Sequence, residues 1–226
     1  MSEADRRNEE NDFADPARGE LVRAAGGGRE GRLTPEEFLR VELQAGISAD
    51  NPEFRSLASA TAEQMRGRGF RSVLDFGAGT GVYADAFHRM GFEVQAYETW
   101  EAHRTYIREK FPHVRLVEAP ITTDLMLFIE TAEHMTDAEL RDLFGRVRPA
   151  YVFFSSTSQL TAWDQEWGHI NVKSQPEWGR FFESLGYVPA GDLTVPTPWS
   201  RLLRRKQAPL RLRLLEVWRR WFPSGR

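Results

Sequence analysis

The chain has 226 residues and a formal net charge of −3, and 41% of its residues are hydrophobic. This size and composition suit one domain with extensions, and the small negative charge predicts no general affinity for nucleic acid. The absence of cysteine excludes disulfides, thiol catalysis and cysteine-ligated zinc. No apolar run approaches the roughly 18 residues of a membrane span, and residues 1–7 do not resemble a signal peptide, so we expect a cytoplasmic protein.

The N-terminal part predicts a tail followed by two helices. Residues 1–31 are polar, carry charges of both signs and include three consecutive glycines, which predicts a disordered tail. We expect one folded domain over residues 32–200. Thr34 and Glu37 form a capping box, with proline at the first helical position, and Asn51 precedes a second proline-initiated helix.

A glycine-rich stretch follows the first predicted strand. An apolar run from Val73 ends in Asp75, and glycines then occupy the alternate positions 77, 79 and 81. Glycine is favoured in such a turn because the backbone can adopt positive φ and approach a ligand closely, while free N–H groups at the helix start attract a partly negative group. A dinucleotide-binding loop would place glycine or alanine at position 82, where this chain has Val82.

A second strand is predicted by the alternation of Phe92, Val94 and Ala96 with polar residues, and it ends at Glu98. This acid lies close to the ~20-residue offset at which a carboxylate meets a ribose diol in nucleotide-binding folds. We therefore expect Glu98 to bind a ribose. The alternative interpretations are an ordinary exposed acid at Glu98 and a generic nucleotide-binding or purely structural turn at the glycines.

Together, the Asp-x-Gly-x-Gly-x-Gly pattern and Glu98 resemble the first motifs of class I S-adenosylmethionine (SAM)-dependent methyltransferases. The resemblance implies SAM as the cofactor and Glu98 as the residue that binds its ribose hydroxyls. It also implies that the loop after the third strand contacts adenine. The implied cofactor-binding residues are Asp75, Gly77, Ala78, Gly79, Gly81, Glu98, Thr99, Glu118, Ala119 and Glu130.

The remaining elements continue the alternation of strands and helices. Further strands are predicted at residues 114–117, 125–129 and 151–154 and from Tyr187. This order predicts an α/β fold, a Rossmann-like and mostly parallel seven-stranded sheet with helices on both faces. Because no convincing strand follows Thr197, a six-stranded sheet is the alternative.

Glu130, Glu133 and His134 follow the fourth strand and would converge if the chain there were helical. With His169 from the long loop after the fifth strand, they could ligate Mg²⁺ or another divalent cation. This pattern resembles that of small-RNA 3′-terminal 2′-O-methyltransferases and, less fully, of O-methyltransferases of ubiquinone synthesis, in which a metal binds adjacent substrate hydroxyls. In the metal-free alternative, His134 or His169 is the catalytic base and Glu130 contacts the cofactor.

Residues 201–226 carry nine Arg or Lys and a single acid, with apolar residues at helical spacing. This composition predicts a basic amphipathic helix that contacts an anionic membrane surface or a partner protein, or alternatively packs on its own domain.

The predicted function is SAM-dependent O-methylation of a small hydroxylated molecule. Trp163, Trp167 and Trp178 lie in a segment that resembles bacterial methyltransferases of glycans and other secondary metabolites, which favours a sugar or glycan-type diol. The first alternative is methylation of an RNA 3′-terminal ribose, while no DNA binding is expected. The second alternative is a catalytically idle protein of the same fold that serves as a binding or assembly module.

Overall fold

The computed structural model describes residues 33–158 and 167–214. The predicted tail at residues 1–31, the end of the predicted C-terminal helix and Trp163 lie outside the described residues. Within the two described ranges, no helix is both long enough and apolar enough to cross a membrane.

The helices pack on both sides of a central sheet. They are α1 (Pro35–Gln44), α2 (Pro52–Glu63), α3 (Val82–Arg89), α4 (Glu101–Lys110), α5 (Asp137–Arg146) and α6 (Gln175–Ser184). Side-chain caps start α1 and α2 where the sequence predicts them, since the Thr34 hydroxyl accepts from the N–H group of Glu37 and Asn51 caps α2. The Thr136 hydroxyl caps α5 in the same way by accepting from the N–H group of Glu139.

Seven strands form one mixed sheet. They are β1 (Ser72–Phe76), β2 (Glu93–Tyr97), β3 (Arg115–Leu116), β4 (Leu125–Ile129), β5 (Tyr151–Ser155), β6 (Tyr187–Asp192) and β7 (Arg201–Arg205). Their order is β3-β2-β1-β4-β5-β7-β6. The strands from β3 to β5 are parallel, and β7 runs antiparallel to both β5 and β6. The predicted fold class is therefore confirmed.

The strand order reverses between β1 and β4, which defines a crevice at the carboxyl ends of these two strands. The glycine-rich stretch leaves β1 at this edge, and the Glu130–His134 segment leaves β4 beside it. The topology thus brings together two motifs that are about fifty residues apart in the sequence.

Successive residues of the central strands are buried on opposite faces of the sheet. Val73 and Leu125 pack with α2, α3 and α4 on one face. Leu74 and Met126 pack with α5 and α6 on the other. Because both faces are covered, these strands read as continuous apolar runs, as expected for a buried parallel sheet.

The prediction of a helix beginning at residue 201 is wrong, because Arg201–Arg205 is strand β7, inserted between β5 and β6. The adjacent leucines Leu202 and Leu203 are buried on opposite faces of the sheet. Two consecutive leucines among arginines do not show the alternation typical of a strand, which explains why the strand was missed. The sheet therefore extends past the domain boundary predicted at residue 200, and helical backbone begins only at Leu210.

Replacing Leu202 with alanine tests the burial of β7. Leu202 is 1% exposed, so Leu202→Ala should lower the free energy of unfolding by about 2–5 kcal/mol. Leu210 is 65% exposed, so Leu210→Ala is the matched control and should change it by less than about 0.5 kcal/mol. Urea denaturation measures both. Equal effects of the two substitutions would contradict the placement of β7 in the core.

Candidate active site

The glycine-rich turn between β1 and α3 has three residues with positive φ, namely Gly77 (72°), Gly79 (52°) and Gly81 (75°). A β-carbon at Gly77 would lie 2.6 Å from Thr131 Cγ2, and one at Gly81 would lie 2.8 Å from Ile107 Cγ1. These two glycines are needed for packing as well as for the backbone conformation. A β-carbon at Gly79 would have only the Glu42 carboxylate nearby, at 3.5 Å, so Gly79 borders the crevice.

Glu98 lies on the crevice side, directly after β2. Its carboxylate accepts hydrogen bonds from the backbone N–H groups of Gly79 (2.9 Å), Thr99 (2.7 Å) and Trp100 (2.9 Å). The side chain is buried, and Thr99 beside it is exposed. The structure therefore brings the predicted ribose-binding acid against the predicted glycine turn. The N–H groups of Gly77 and Ala78 bind the turn to β2 through Tyr97 O, at 2.9 and 3.1 Å.

Asp75, at the end of β1, is 4% exposed, and its Oδ2 atom has no hydrogen-bond partner. Burial raises the pKa of Asp75 to about 7, the charge of Glu98 adds to the increase, and the backbone N–H of Ala84 opposes it. An unpartnered buried carboxyl oxygen at a crevice is well suited to a positively charged ligand group. Tyr83 is a site residue that the sequence analysis missed: burial and the charges of Glu130 and Asp75 raise its pKa.

Arg104, also missed from the sequence, joins the ends of β2 and β3. Its guanidinium donates to the carbonyl oxygens of Glu98 (3.2 Å) and Val117 (3.3 Å) and pairs with the carboxylate of Glu118. Glu118 and Ala119 are both exposed at this edge. The predicted ribose-binding and adenine-binding segments are thus held side by side by one buried arginine, which the sequence showed only as a basic residue within a helix.

Glu130 and Glu133 follow β4, with Glu130 exposed at φ 47° and Glu133 fully buried. The Ser155 hydroxyl donates to Glu130, and the Ser156 hydroxyl donates to Glu133 over 3.0 Å. Burial, with the neighbouring Glu130 carboxyl in second place, raises the pKa of Glu133 well above its ordinary value. The surroundings of Glu133 therefore favour its protonated, neutral form. A positive φ at a residue other than glycine is uncommon and typical of functional sites.

His134 and His169 meet edge to face, with their ring centroids 4.7 Å apart. The loop that carries His169 is fixed to the turn after β4 because the N–H groups of Ile170 and Asn171 both donate to Glu133 O. Burial, followed by the proximity of His169, lowers the pKa of His134 to about 4. His134 is therefore a neutral imidazole at physiological pH.

The predicted divalent-cation site is not supported by this geometry. Within the described ranges, no group of three or more His, Asp or Glu side chains is arranged to hold a metal ion. The predicted convergence requires a helix from Glu130 onward, but only Ala132–His134 is helical, as a 3₁₀ turn, and Glu130 has positive φ. The carboxyl groups of Glu130 and Glu133 lie against each other, but the His134 ring packs against the His169 ring, and no third ligand among the described residues is arranged with the two carboxyl groups.

A ring cluster, which consists of Phe38, Trp100, His103, His134 and Trp167, closes the crevice from the side of α1. The Phe38 ring is central: its centroid lies 5.0 Å from that of Trp100 and 4.9 Å from that of Trp167. The centroids of His103 and His134 are both 6.1 Å from it. Phe38 therefore connects the end of the crevice at Glu98 to the end at His134. In the sequence, Phe38 is recognisable only as an apolar position on a helix.

A mixed sheet of this strand order, with a glycine turn after β1 and an acid after β2, defines a nucleoside-binding protein of the Rossmann-like class. The sequence of residues 43–189 matches the family described as "Methyltransferase domain", which is more than half of the chain. The chain belongs to this family, and the resemblance to class I SAM-dependent methyltransferases is confirmed. Comparison with curated proteins finds no match.

Solved methyltransferase structures share the fold. The mitomycin 7-O-methyltransferase MmcR is 16% identical with a TM-score of 0.53, over 75% of this chain and 57% of that one. Human N-acetylserotonin methyltransferase in complex with SAM is 14% identical with a TM-score of 0.54, over 76% of this chain and 55% of that one. DesVI of Streptomyces venezuelae is 14% identical with a TM-score of 0.51, over 74% and 96%. The chain thus spans little more than half the length of the first two.

The raised pKa of Asp75 predicts a pH-dependent loss of stability. In the unfolded chain Asp75 ionises near pH 3.8, whereas in the folded protein it ionises near pH 7, so its contribution falls from pH 4 to 7 and is then constant. Asp75→Asn keeps an acceptor for Ala84 N–H and removes the charge. We expect the variant to unfold like the wild type at pH 4 and to be more stable by about 1 kcal/mol or more at pH 8. Urea denaturation at both pH values, without added ligand, checks this. A constant difference between the two proteins would contradict it.

Proposed function

We propose that this domain transfers the methyl group of SAM to a hydroxyl group of a small molecule. The unpartnered Oδ2 of Asp75, beside the open backbone of Gly79, is the observation that carries the cofactor assignment. SAM is positively charged and has an amino-acid end and a ribose. It therefore offers a cation to Asp75 and ribose hydroxyl groups to Glu98. When bound, the cofactor supplies a methyl group on a sulfonium, a good leaving group.

The residues of the crevice divide between the parts of this ligand. We assign the ribose to Glu98, which is already held at the turn by three backbone N–H groups. Arg104 holds the Glu98 and Glu118 segments at one edge, where the adenine is expected. Asp75, Tyr83 and Glu130 surround the other end, which suits the amino-acid group.

His134 is our candidate for the residue that receives the acceptor's proton. Its low pKa keeps it neutral, so it can accept a proton as the methyl group is transferred. His169 packs against it and would fix the orientation of the ring. The metal-assisted mechanism predicted from the sequence is not carried into this proposal because the ligand set does not fit a cation.

The acceptor is expected beside His134, where the half-buried ring of Phe38 presents an aromatic face. Such faces stack on sugar rings and on planar aromatic rings alike. MmcR is named as a mitomycin 7-O-methyltransferase and its human relative as an N-acetylserotonin methyltransferase, which supports a small hydroxylated acceptor for this chain. A sugar or secondary-metabolite diol remains our specific hypothesis. The cytoplasmic location and a membrane or protein partner of the C-terminal segment stay predictions.

Gly79→Ala tests the cofactor site. The new methyl group would project into the crevice beside Glu42, so we expect the affinity for S-adenosylhomocysteine to fall at least about tenfold. Gly91 is the matched control, since it also has positive φ but nothing within 4 Å of its β-carbon position. Gly91→Ala should cost similar stability and leave binding unchanged. Titration calorimetry measures the affinity for S-adenosylhomocysteine, and scanning calorimetry measures the melting temperature. If neither variant affects binding, or if the wild type binds no cofactor, the assignment is wrong and an idle module is favoured.

His134→Gln tests the proton acceptor. Mass spectrometry of a cell extract incubated with the enzyme and isotopically labelled SAM identifies the acceptor for the assay. We expect His134→Gln to lower kcat by roughly 10²- to 10⁴-fold with unchanged affinity for S-adenosylhomocysteine. The exposed His88 provides the control, because His88→Gln should have wild-type activity.

The lowered pKa of His134 adds a pH criterion. Since the pKa of His134 is about 4, protonation of this residue should not lower the wild-type kcat as the pH falls through 6.5. An unchanged kcat in His134→Gln would exclude this role. Transfer to RNA oligonucleotides only when a terminal 2′-hydroxyl is present would favour the RNA alternative.

A further inference from the structure

Glu42 brings a carboxylate to the crevice from outside the methyltransferase core. It lies on α1, one residue before the segment that matches the family. Its Oε1 is 3.5 Å from the position of a β-carbon at Gly79, and its Oε2 lies 2.7 Å from His103 Nε2. The side chain is only 12% exposed, so it points inward rather than into solvent.

Three acids from three different elements therefore meet at the glycine turn, namely Glu42, Asp75 and Glu98. The charge of Glu98 raises the pKa of both Glu42 and Asp75, after burial as the larger cause. Among the residues that the structure describes, His103 is the only basic side chain within hydrogen-bond distance of a carboxylate of the three. Arg104 reaches only the backbone carbonyl of Glu98.

A second observation shows that this acidic cluster is incomplete without a ligand. Within residues 33–158 and 167–214, Asp75 Oδ2 has no hydrogen-bond partner although Asp75 is 4% exposed, and His103 Nδ1 has none although His103 is 1% exposed. Buried acids without counter-charges are costly, so the site favours a cation. A cation beside Glu42 would also stabilise its ionised form against the effects of burial and of Glu98.

We propose that Glu42 is a selectivity residue, whose carboxylate favours the cationic methyl donor over its demethylated product. This inference rests on the proposed function. SAM carries a methyl group and, with it, a sulfonium charge that S-adenosylhomocysteine lacks, and the two molecules share all their other charged groups. Negative charge beside Gly79 would therefore weaken product binding relative to donor binding and help product to leave after transfer.

Calorimetry with three ligands tests the proposal. SAM and S-adenosylhomocysteine differ in charge and in the methyl group, and sinefungin carries a cationic amine in place of the methylsulfonium. We expect Glu42→Gln to weaken SAM and sinefungin roughly tenfold and S-adenosylhomocysteine less than about twofold. The matched control is Glu36→Gln, an exposed acid on the same helix, which should leave all three affinities unchanged.

Equal weakening of the three ligands would show that Glu42 acts only by positioning α1, and unchanged affinities would place it outside the site. Either outcome overturns the proposal. His103→Gln gives an independent test: His103 lowers the pKa of Glu42, so removing the imidazole favours neutral Glu42 and should lower the preference for SAM over S-adenosylhomocysteine. A higher preference in this variant also overturns the proposal. If the wild type binds none of the ligands, the proposed function itself fails, which is distinct from a failure confined to Glu42.

Discussion

The site depends on the backbone turn between β1 and α3. Glycine is required in this turn because the backbone has positive φ and neighbouring side chains leave no room for a β-carbon. Gly77 and Gly81 have positive φ and leave room for Thr131 and Ile107, which come from the neighbouring β4 end and from α4. A side chain at either glycine would push one of these elements away. The turn therefore fixes how closely three parts of the fold approach the crevice, and it leaves the backbone of Gly79 accessible to a ligand.

The second constraint is electrostatic. Buried carboxyl groups lower the stability of the fold, and Asp75 shows this cost as a pKa raised to about 7. The chain offsets part of the cost with backbone N–H groups at Glu98 and with His103 at Glu42. The negative charge that remains uncompensated fits a positively charged cofactor. Without such a ligand to bind, the protein would gain stability if these acids were replaced. Stability and binding are thus opposed at the glycine turn.

The segment after β4 shows how a sequence pattern can predict the right neighbourhood and the wrong chemistry. The i, i+3, i+4 spacing of Glu130, Glu133 and His134 would converge on a metal only in a regular helix. Instead, Glu130 has positive φ, and only a short 3₁₀ turn follows it, in which Glu133 is buried with its carboxyl group against that of Glu130. Hydrogen bonds from Ile170 and Asn171 then bring His169 to His134 as a ring contact rather than as a fourth ligand.

The sequence by itself determined the elements whose signals are local. Helix caps at Thr34 and Asn51, the apolar run of β4 and the glycine turn followed by Glu98 all predicted the correct structure, because each depends on neighbours within a few residues. The α/β fold with a mostly parallel sheet also followed from the alternation of strands and helices, whereas the strand order came only from the structure. Leu202 and Leu203 were missed because burial on both faces of a strand erases the alternation that identifies one.

Only the tertiary structure decided which distant residues share the crevice. Arg104 links two strand ends, Phe38 connects Trp100 to His134, and Glu42 reaches the glycine turn from the N-terminal helix. Each is an ordinary helical residue in the sequence. Their roles depend on long-range packing and on burial, which sets both the pKa of Asp75 and that of His134. Long-range packing and burial cannot be recognised from the local sequence pattern, because both arise from groups that meet only after the chain has folded.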